Sequence, residues 1–148
     1  MTSLLENVAK SEHSRNSHRY RVVLDTSLLI SGLFWGKVEN RVLKHIFANQ
    51  EAILSQYIID ELLDFCDDVL PKISRKQKRE IQVALENFCY SEGELATTHI
   101  RDIADEPIVA LALRYDAMIV SSDKDFLEYN QQKPVVLSPK EYQELFMA

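Results

Sequence analysis

Glycine and proline are scarce in this 148-residue chain, three of one and four of the other. Tight turns draw on the free φ of glycine and the fixed φ of proline, so a small all-β fold crowded with hairpins is disfavoured. Long regular elements joined by short connections are expected instead. Cysteine is rarer still: Cys66 and Cys89 are too few and too far apart for a disulfide framework or a zinc knuckle, and both read as buried, reduced thiols. No run approaches the roughly 18 consecutive apolar residues of a membrane span, and polar residues fill the N-terminal stretch where a signal peptide would carry its apolar segment. The expectation is a cytoplasmic protein with no membrane partner. Positive charge is also in deficit, with 17 Lys and Arg against 23 Asp and Glu and a net charge of -6. That balance argues against nucleic-acid binding through a broadly basic surface. It leaves room for a carboxylate centre whose charge a divalent cation neutralises.

What is present is ordinary for a globular chain, 46% apolar and 27% charged residues, enough for one domain with one core. Residues 1–18 are mostly polar and read as a flexible leader; residues 19–148 read as the domain. From Tyr20 the pattern changes, and Val22, Val23 and Leu24 form an apolar run ending at Asp25, as a buried parallel strand would. Ser31-Gly32 reads as turn-prone. Val38, Val42, Leu43, Ile46 and Phe47 then recur at spacings of three and four, predicting an amphipathic helix. Residues 52–55 predict a second strand, Ile58 to Cys66 a helix closed by Leu70-Pro71, and Ser74 the cap of another helix running to about Phe88. Leu95–Thr98 suggests a short strand. A helix follows Asp105, Ala117–Val120 is a strand, Val135–Leu137 is the last strand, and Ser138-Pro139 opens a closing helix. Alternation of this kind predicts an α/β fold, a three-layer α/β/α sandwich around a mostly parallel central sheet.

In such sheets ligands lie beyond the carboxyl ends of the strands, and acids cluster at those positions here. Asp25 ends the first strand, Glu61 lies on the helix after the second, Asp102 and Asp105 precede a helix, and Asp123 and Asp125 follow the strand ending at Val120. Each has a structural explanation taken singly, Asp105 as a helix cap and Asp125 as a turn residue. Taken together, carboxylates gathered on one rim repel one another unless a cation is present. Hard oxygen donors without a His/Cys cluster select Mg²⁺ or Mn²⁺, one ion or two, and such centres support phosphodiester hydrolysis. Thr26, Ser27, Ser121 and Ser122 could hold waters or a phosphate oxygen there, or simply make strand-end hydrogen bonds.

Four segments carry a family resemblance. VVLDTSLLISGLFW at 22–35, SQYIIDELL at 55–63, DIADEPIVALAL at 102–113 and IVSSDKDFL at 119–127 resemble, in order, the acidic blocks of PIN-domain ribonucleases. The closing VVLSPKEYQELF is similar to the end of the bacterial branch that contains toxins of toxin-antitoxin pairs. The resemblance implies a PIN-like fold and an endoribonuclease of single-stranded RNA dependent on Mg²⁺ or Mn²⁺. It also implies a homodimer and inhibition by a cognate antitoxin protein. By position Asp25, Glu61, Asp105 and Asp123 match the four metal-binding, catalytic acids, Asp125 a possible fifth ligand, and Ser121 the Thr/Ser of the turn before Asp123, with Thr26 in support. Glu106-Pro107 departs from the small or apolar residues usual there, though proline suits a first helical turn.

An acidic protein must still hold RNA. Lys72, Arg75, Lys76, Lys78 and Arg79 place five cations in eight residues and form a candidate phosphate-binding patch, or a solvated helix surface paired with nearby acids. Phe34 and Trp35 read as core or dimer packing, or as a platform for a base. The apolar faces at 39–49 and 56–66 could bury a partner, as in a dimer, and His45 and His99, without partners at ligand spacing, read as structural. Two other acidic α/β pockets fit less well. A phosphoacceptor receiver domain needs paired acids after the first strand, and a haloacid-dehalogenase-like phosphatase needs Asp-x-Asp, where position 27 is Ser. The remaining alternative is a PIN-like module that binds RNA or protein with little catalysis.

Overall fold

The computed structural model describes residues 19–69, 73–91, 106–128 and 133–148. Within them the chain runs β1 (Arg21–Leu24), α1 (Thr26–Phe34), α2 (Lys37–Asn49), β2 (Glu51–Ile53), α3 (Gln56–Val69), α4 (Arg75–Glu86), α5 (Glu106–Arg114), β3 (Met118–Val120), α6 (Lys124–Leu127), β4 (Val136–Leu137) and α7 (Pro139–Phe146). The four strands form one parallel sheet in the order β2-β1-β3-β4, flanked by helices. Val22, Val23 and Leu24 are consecutive, so their side chains alternate between the two faces, yet all three are fully buried. Both faces of the central strand are therefore covered, which explains why β1 is continuously apolar rather than alternating. No helix of the described residues is long and apolar enough to cross a membrane.

The chain leaves β1 toward β2 on one side and returns through β3 on the other. The β1–β3 seam is consequently the point where strand order reverses, the place where folds of this kind bind ligands beyond the carboxyl ends. Leu24 pairs with Val120, so Asp25 and Ser121 emerge side by side. Asp25 N–H still donates to Val120 O at 3.3 Å, and Ser121 N–H to Leu137 O at 3.0 Å. The expected strand at 95–98 lies outside the described residues. A parallel bridge at Cys89 extends the sheet past β2 instead, with Tyr90 N–H donating to Leu54 O at 2.7 Å.

One expectation is corrected next to β1. Ser31-Gly32 does not form a turn; both residues lie inside α1, which begins directly after Asp25. Glycine is required there by close packing, since a Cβ at Gly32 would fall 2.3 Å from Leu43 Cδ1 of α2. The cysteine reading is half right, Cys66 being buried and Cys89 exposed at the sheet margin. The apolar faces of α2 and α3 are also spent within the chain. Val42, Leu43, Ile46 and Phe47, and Ile58, Ile59 and Leu62, are core residues of the chain itself.

Helix termini follow the local signals. Ser74 and Ser138 each accept from the backbone three residues on, while the side chains of Gln77 and Glu141 reach back to the cap N–H, making two complete capping boxes. The closing helix α7 is anchored by Tyr142, fully buried, whose hydroxyl meets His45 Nδ1 at 2.7 Å and receives Gln50 Nε2 at 3.3 Å. Gln50 Oε1 in turn accepts from Tyr20 N–H at 2.9 Å. Burial pushes the Tyr142 phenol up to about 12, keeping it a neutral hydrogen-bonding group. Tyr142→Phe removes the shared hydroxyl and strands two polar partners, so it should cost about 1–3 kcal/mol in urea unfolding. A stability equal to wild type would show that the network contributes nothing to docking α7.

Candidate active site at the carboxyl edge of the sheet

Asp25 is the N-cap residue of α1, but its carboxylate makes no capping bond to the helix. It is turned into the β1–β3 seam, where the residue is only 3% exposed. Its Oδ2 accepts two short hydrogen bonds, 2.6 Å each, from Ser27 Oγ and Ser121 Oγ. The second crosses from one strand end to the other over 96 residues of sequence. Ser121 Oγ also accepts from Asp123 N–H at 2.9 Å, so one buried hydroxyl fixes the carboxylate and the backbone of the following turn together. Burial raises the Asp25 pKa above its ordinary 3.8. The two hydroxyls and the Thr26 backbone act in the opposite direction, and the negative charge of Asp123 adds to the rise.

Glu61 reaches the same rim from α3. Ser55 ends the β2 edge and accepts from Ile58 N–H at 3.2 Å, setting the start of that helix. Thr26 Oγ1, directly after Asp25, then donates to Glu61 Oε1 at 2.8 Å. Thr26 is buried and Glu61 half-buried. The first helical residue after β1 thereby ties the second acid to the first.

Of the residues singled out from the sequence, Asp25, Thr26, Ser27, Glu61, Ser121 and Asp123 are thus brought to one edge. Asp105 and Asp102 lie outside the described residues, as does Lys72; for Asp125 only the backbone, on α6, is described. Among the described residues no three His, Cys, Asp or Glu side chains form a group that could hold a metal ion. Ser122 contributes a feature that sequence reasoning left undecided: its Oγ is buried without a hydrogen-bond partner beside Ser121 and Asp123. On α4, Arg75, Lys76 and Arg79 are exposed, whereas Lys78 pairs with Asp67 of α3 at 2.6 Å. His45, on Tyr142, has a structural contact remote from this edge in sequence; His99 lies outside the described residues.

Comparison with known proteins gives one result at the level of families: residues 23–134 match the model of the PIN domain. No curated protein and no solved structure matches the chain. PIN domains are generally nucleases and typically metal-dependent. The match begins within the first strand and covers all the acid-bearing segments, and with a four-stranded parallel sheet flanked by helices it places this chain in the PIN domain family.

Proposed function

We propose that the protein is a Mg²⁺- or Mn²⁺-dependent endoribonuclease acting on single-stranded RNA, and that it serves as the toxin of a toxin-antitoxin pair. The observation that carries the catalytic part is the buried Asp25 carboxylate at the strand-order reversal, with Asp123 and Glu61 tied to the same edge. The toxin role rests on the likeness of the chain's closing segment to that branch. An inhibitory antitoxin and a homodimer belong to the same reading.

The donor set suits a hard divalent cation. Among the described residues it consists of carboxylates and hydroxyls with neither thiolate nor imidazole, and it includes a carboxylate whose ionisation is opposed by burial and by Asp123. Asp25, Glu61, Asp105 and Asp123 would hold one or two ions, with Asp125 as a further ligand. When bound, the cation supplies water activation and charge stabilisation for phosphodiester cleavage. The chain's own hydroxyls then have defined tasks. Ser27 and Ser121 hold the Asp25 carboxylate in one orientation, Thr26 holds Glu61, and Ser121 sets the turn that presents Asp123. Arg75, Lys76 and Arg79, with Lys72, would attract RNA phosphates; Lys78, already engaged by Asp67, has less to offer.

Asp25 makes the reading testable without activity. A folded pKa raised above the unfolded value means that the native state binds the extra proton. The associated stability is complete below the unfolded value near 3.8 and is lost as pH rises through the folded value. Urea unfolding in EDTA should therefore show Asp25→Asn gaining stability relative to wild type as pH rises from 4 toward neutrality. Added Mg²⁺ should raise the wild-type Tm and leave the variant's unchanged. A difference curve flat in pH would show that burial does not raise the Asp25 pKa, and equal Mg²⁺ responses would remove Asp25 from the proposed metal centre.

For activity, Asp25→Asn and Asp123→Asn should each lower Mg²⁺-dependent cleavage of single-stranded RNA by about a hundredfold or more, with circular dichroism unchanged. Chelation should abolish the wild-type activity. Equal cleavage by all three proteins would assign the activity elsewhere, and metal-insensitive RNA affinity without cleavage would favour a binding module. For the biological role, a small neighbouring reading frame whose product forms a complex with the protein and blocks cleavage is expected. Lack of such a partner gene would count against the toxin assignment.

A further inference from the structure

A second feature lies one helical turn along α3 from Glu61. Phe65 packs against Phe34 and Trp35 at the end of α1, with ring centroids 6.1 and 5.9 Å apart, and Phe34 and Trp35 are themselves 6.3 Å apart. Trp35 is nevertheless 62% exposed, so it is not a core residue, and of the sequence readings dimer packing and a platform for a base remain. It borders a groove of about 410 Å³ lined also by Phe34, Gly36, Lys37, Asn40 and Arg41. Asn40 Nδ2 donates to Gly32 O at 2.8 Å, locking the α1–α2 corner that forms the groove wall. Lys37 and Arg41 are exposed, one turn apart on α2, and neither forms an ion pair among the described residues.

We infer that this groove binds single-stranded RNA next to the acidic edge, a base stacking on Trp35 while Lys37 and Arg41 take phosphates. The inference rests on the ribonuclease reading above and names where that substrate would be gripped. An exposed indole steadied by two phenyl rings has a fixed position, so little side-chain freedom is lost when a base stacks on it. In a chain of net charge -6, the two cations that share this groove with the ring outnumber the one carboxylate, Glu39, that lies against Gly36, and attract phosphate. A protein-binding patch would instead be expected to have an apolar centre, whereas Lys37, Asn40 and Arg41 make this groove polar. Two contacts relate groove and acids: Thr26 to Glu61 at the start of α1, and Phe34 to Phe65 at its end. Glu61 and Phe65 are four residues apart on α3, about 6 Å along its axis, so one strand can pass from carboxylates to rings.

The chain has a single tryptophan, so its emission reports on this groove alone. Titration of the full-length protein with a short single-stranded oligouridylate in EDTA should quench that emission. Trp35→Ala should weaken binding about tenfold, measured by anisotropy of a labelled oligonucleotide, and Trp35→Phe should retain most of the affinity. Replacing both cations, Lys37→Gln with Arg41→Gln, should reduce the dependence of log Kd on log salt by about two. The inference is overturned if the oligonucleotide is bound, or RNA cleaved, with Trp35 emission and Trp35→Ala affinity unchanged; the ribonuclease reading would then stand with RNA held elsewhere. It is equally overturned if Trp35→Ala converts a dimer to a monomer in light scattering while RNA affinity is unaltered, which would assign the ring to protein contact. Absence of both RNA binding and Mg²⁺-dependent cleavage in wild type would sink the ribonuclease reading itself, and this inference with it.

Discussion

Two serine hydroxyls share one oxygen of Asp25, and that arrangement links the parts of the molecule that bear on chemistry. Ser27 approaches from α1 and Ser121 from the end of β3, each at 2.6 Å. An ionised carboxylate with 3% exposure needs strong donors in place of water. The donors present do not fully offset its burial, and the pKa remains raised, with Asp123 adding to the rise. The same contacts that hold Asp25 also connect β1 to β3 and set the turn before Asp123, so the chemistry of the edge and the local stability of the seam are not separable.

Position follows from topology. A parallel strand buried on both faces offers side chains to solvent only past its end, and at the β1–β3 seam the chain diverges to opposite sides, the position where such sheets bind ligands. Asp25 and Ser121 occupy the first places beyond the paired Leu24 and Val120. The corner between α1 and α2 owes its geometry to Gly32, where Leu43 fills the space a Cβ would need. Past that corner the end of α1 meets Phe65 of α3, with Trp35 at the surface.

Charge is distributed unevenly for a chain of net -6. Exposed cations occur on α4, at Arg75, Lys76 and Arg79, and on α2, at Lys37 and Arg41. Lys78, by contrast, is neutralised by Asp67 and helps fasten α4 to α3. Local positive fields beside an acidic centre can coexist with an acidic total, because screening confines each to about a Debye length.

Much of the fold was legible in the order of residues, for local reasons. Apolar runs ending in polar residues marked β1, β2 and β3; three-and-four spacing marked α2 and α3; Ser74 and Ser138 marked caps that the structure forms as complete capping boxes. The candidate acids were legible because strand ends are where such folds place ligands. Other features depended on neighbours distant in sequence. Gly32 reads as a turn until Leu43 is beside it, and Cys89 reads as core until it is found at the sheet margin. Residue types and periodicity determined which elements form and which carboxylates were available. Only the tertiary structure decided that Ser121 would clasp Asp25 across 96 residues, that Thr26 would hold Glu61, and that Trp35 would face solvent. Those outcomes require packing distances between elements, which local sequence does not encode.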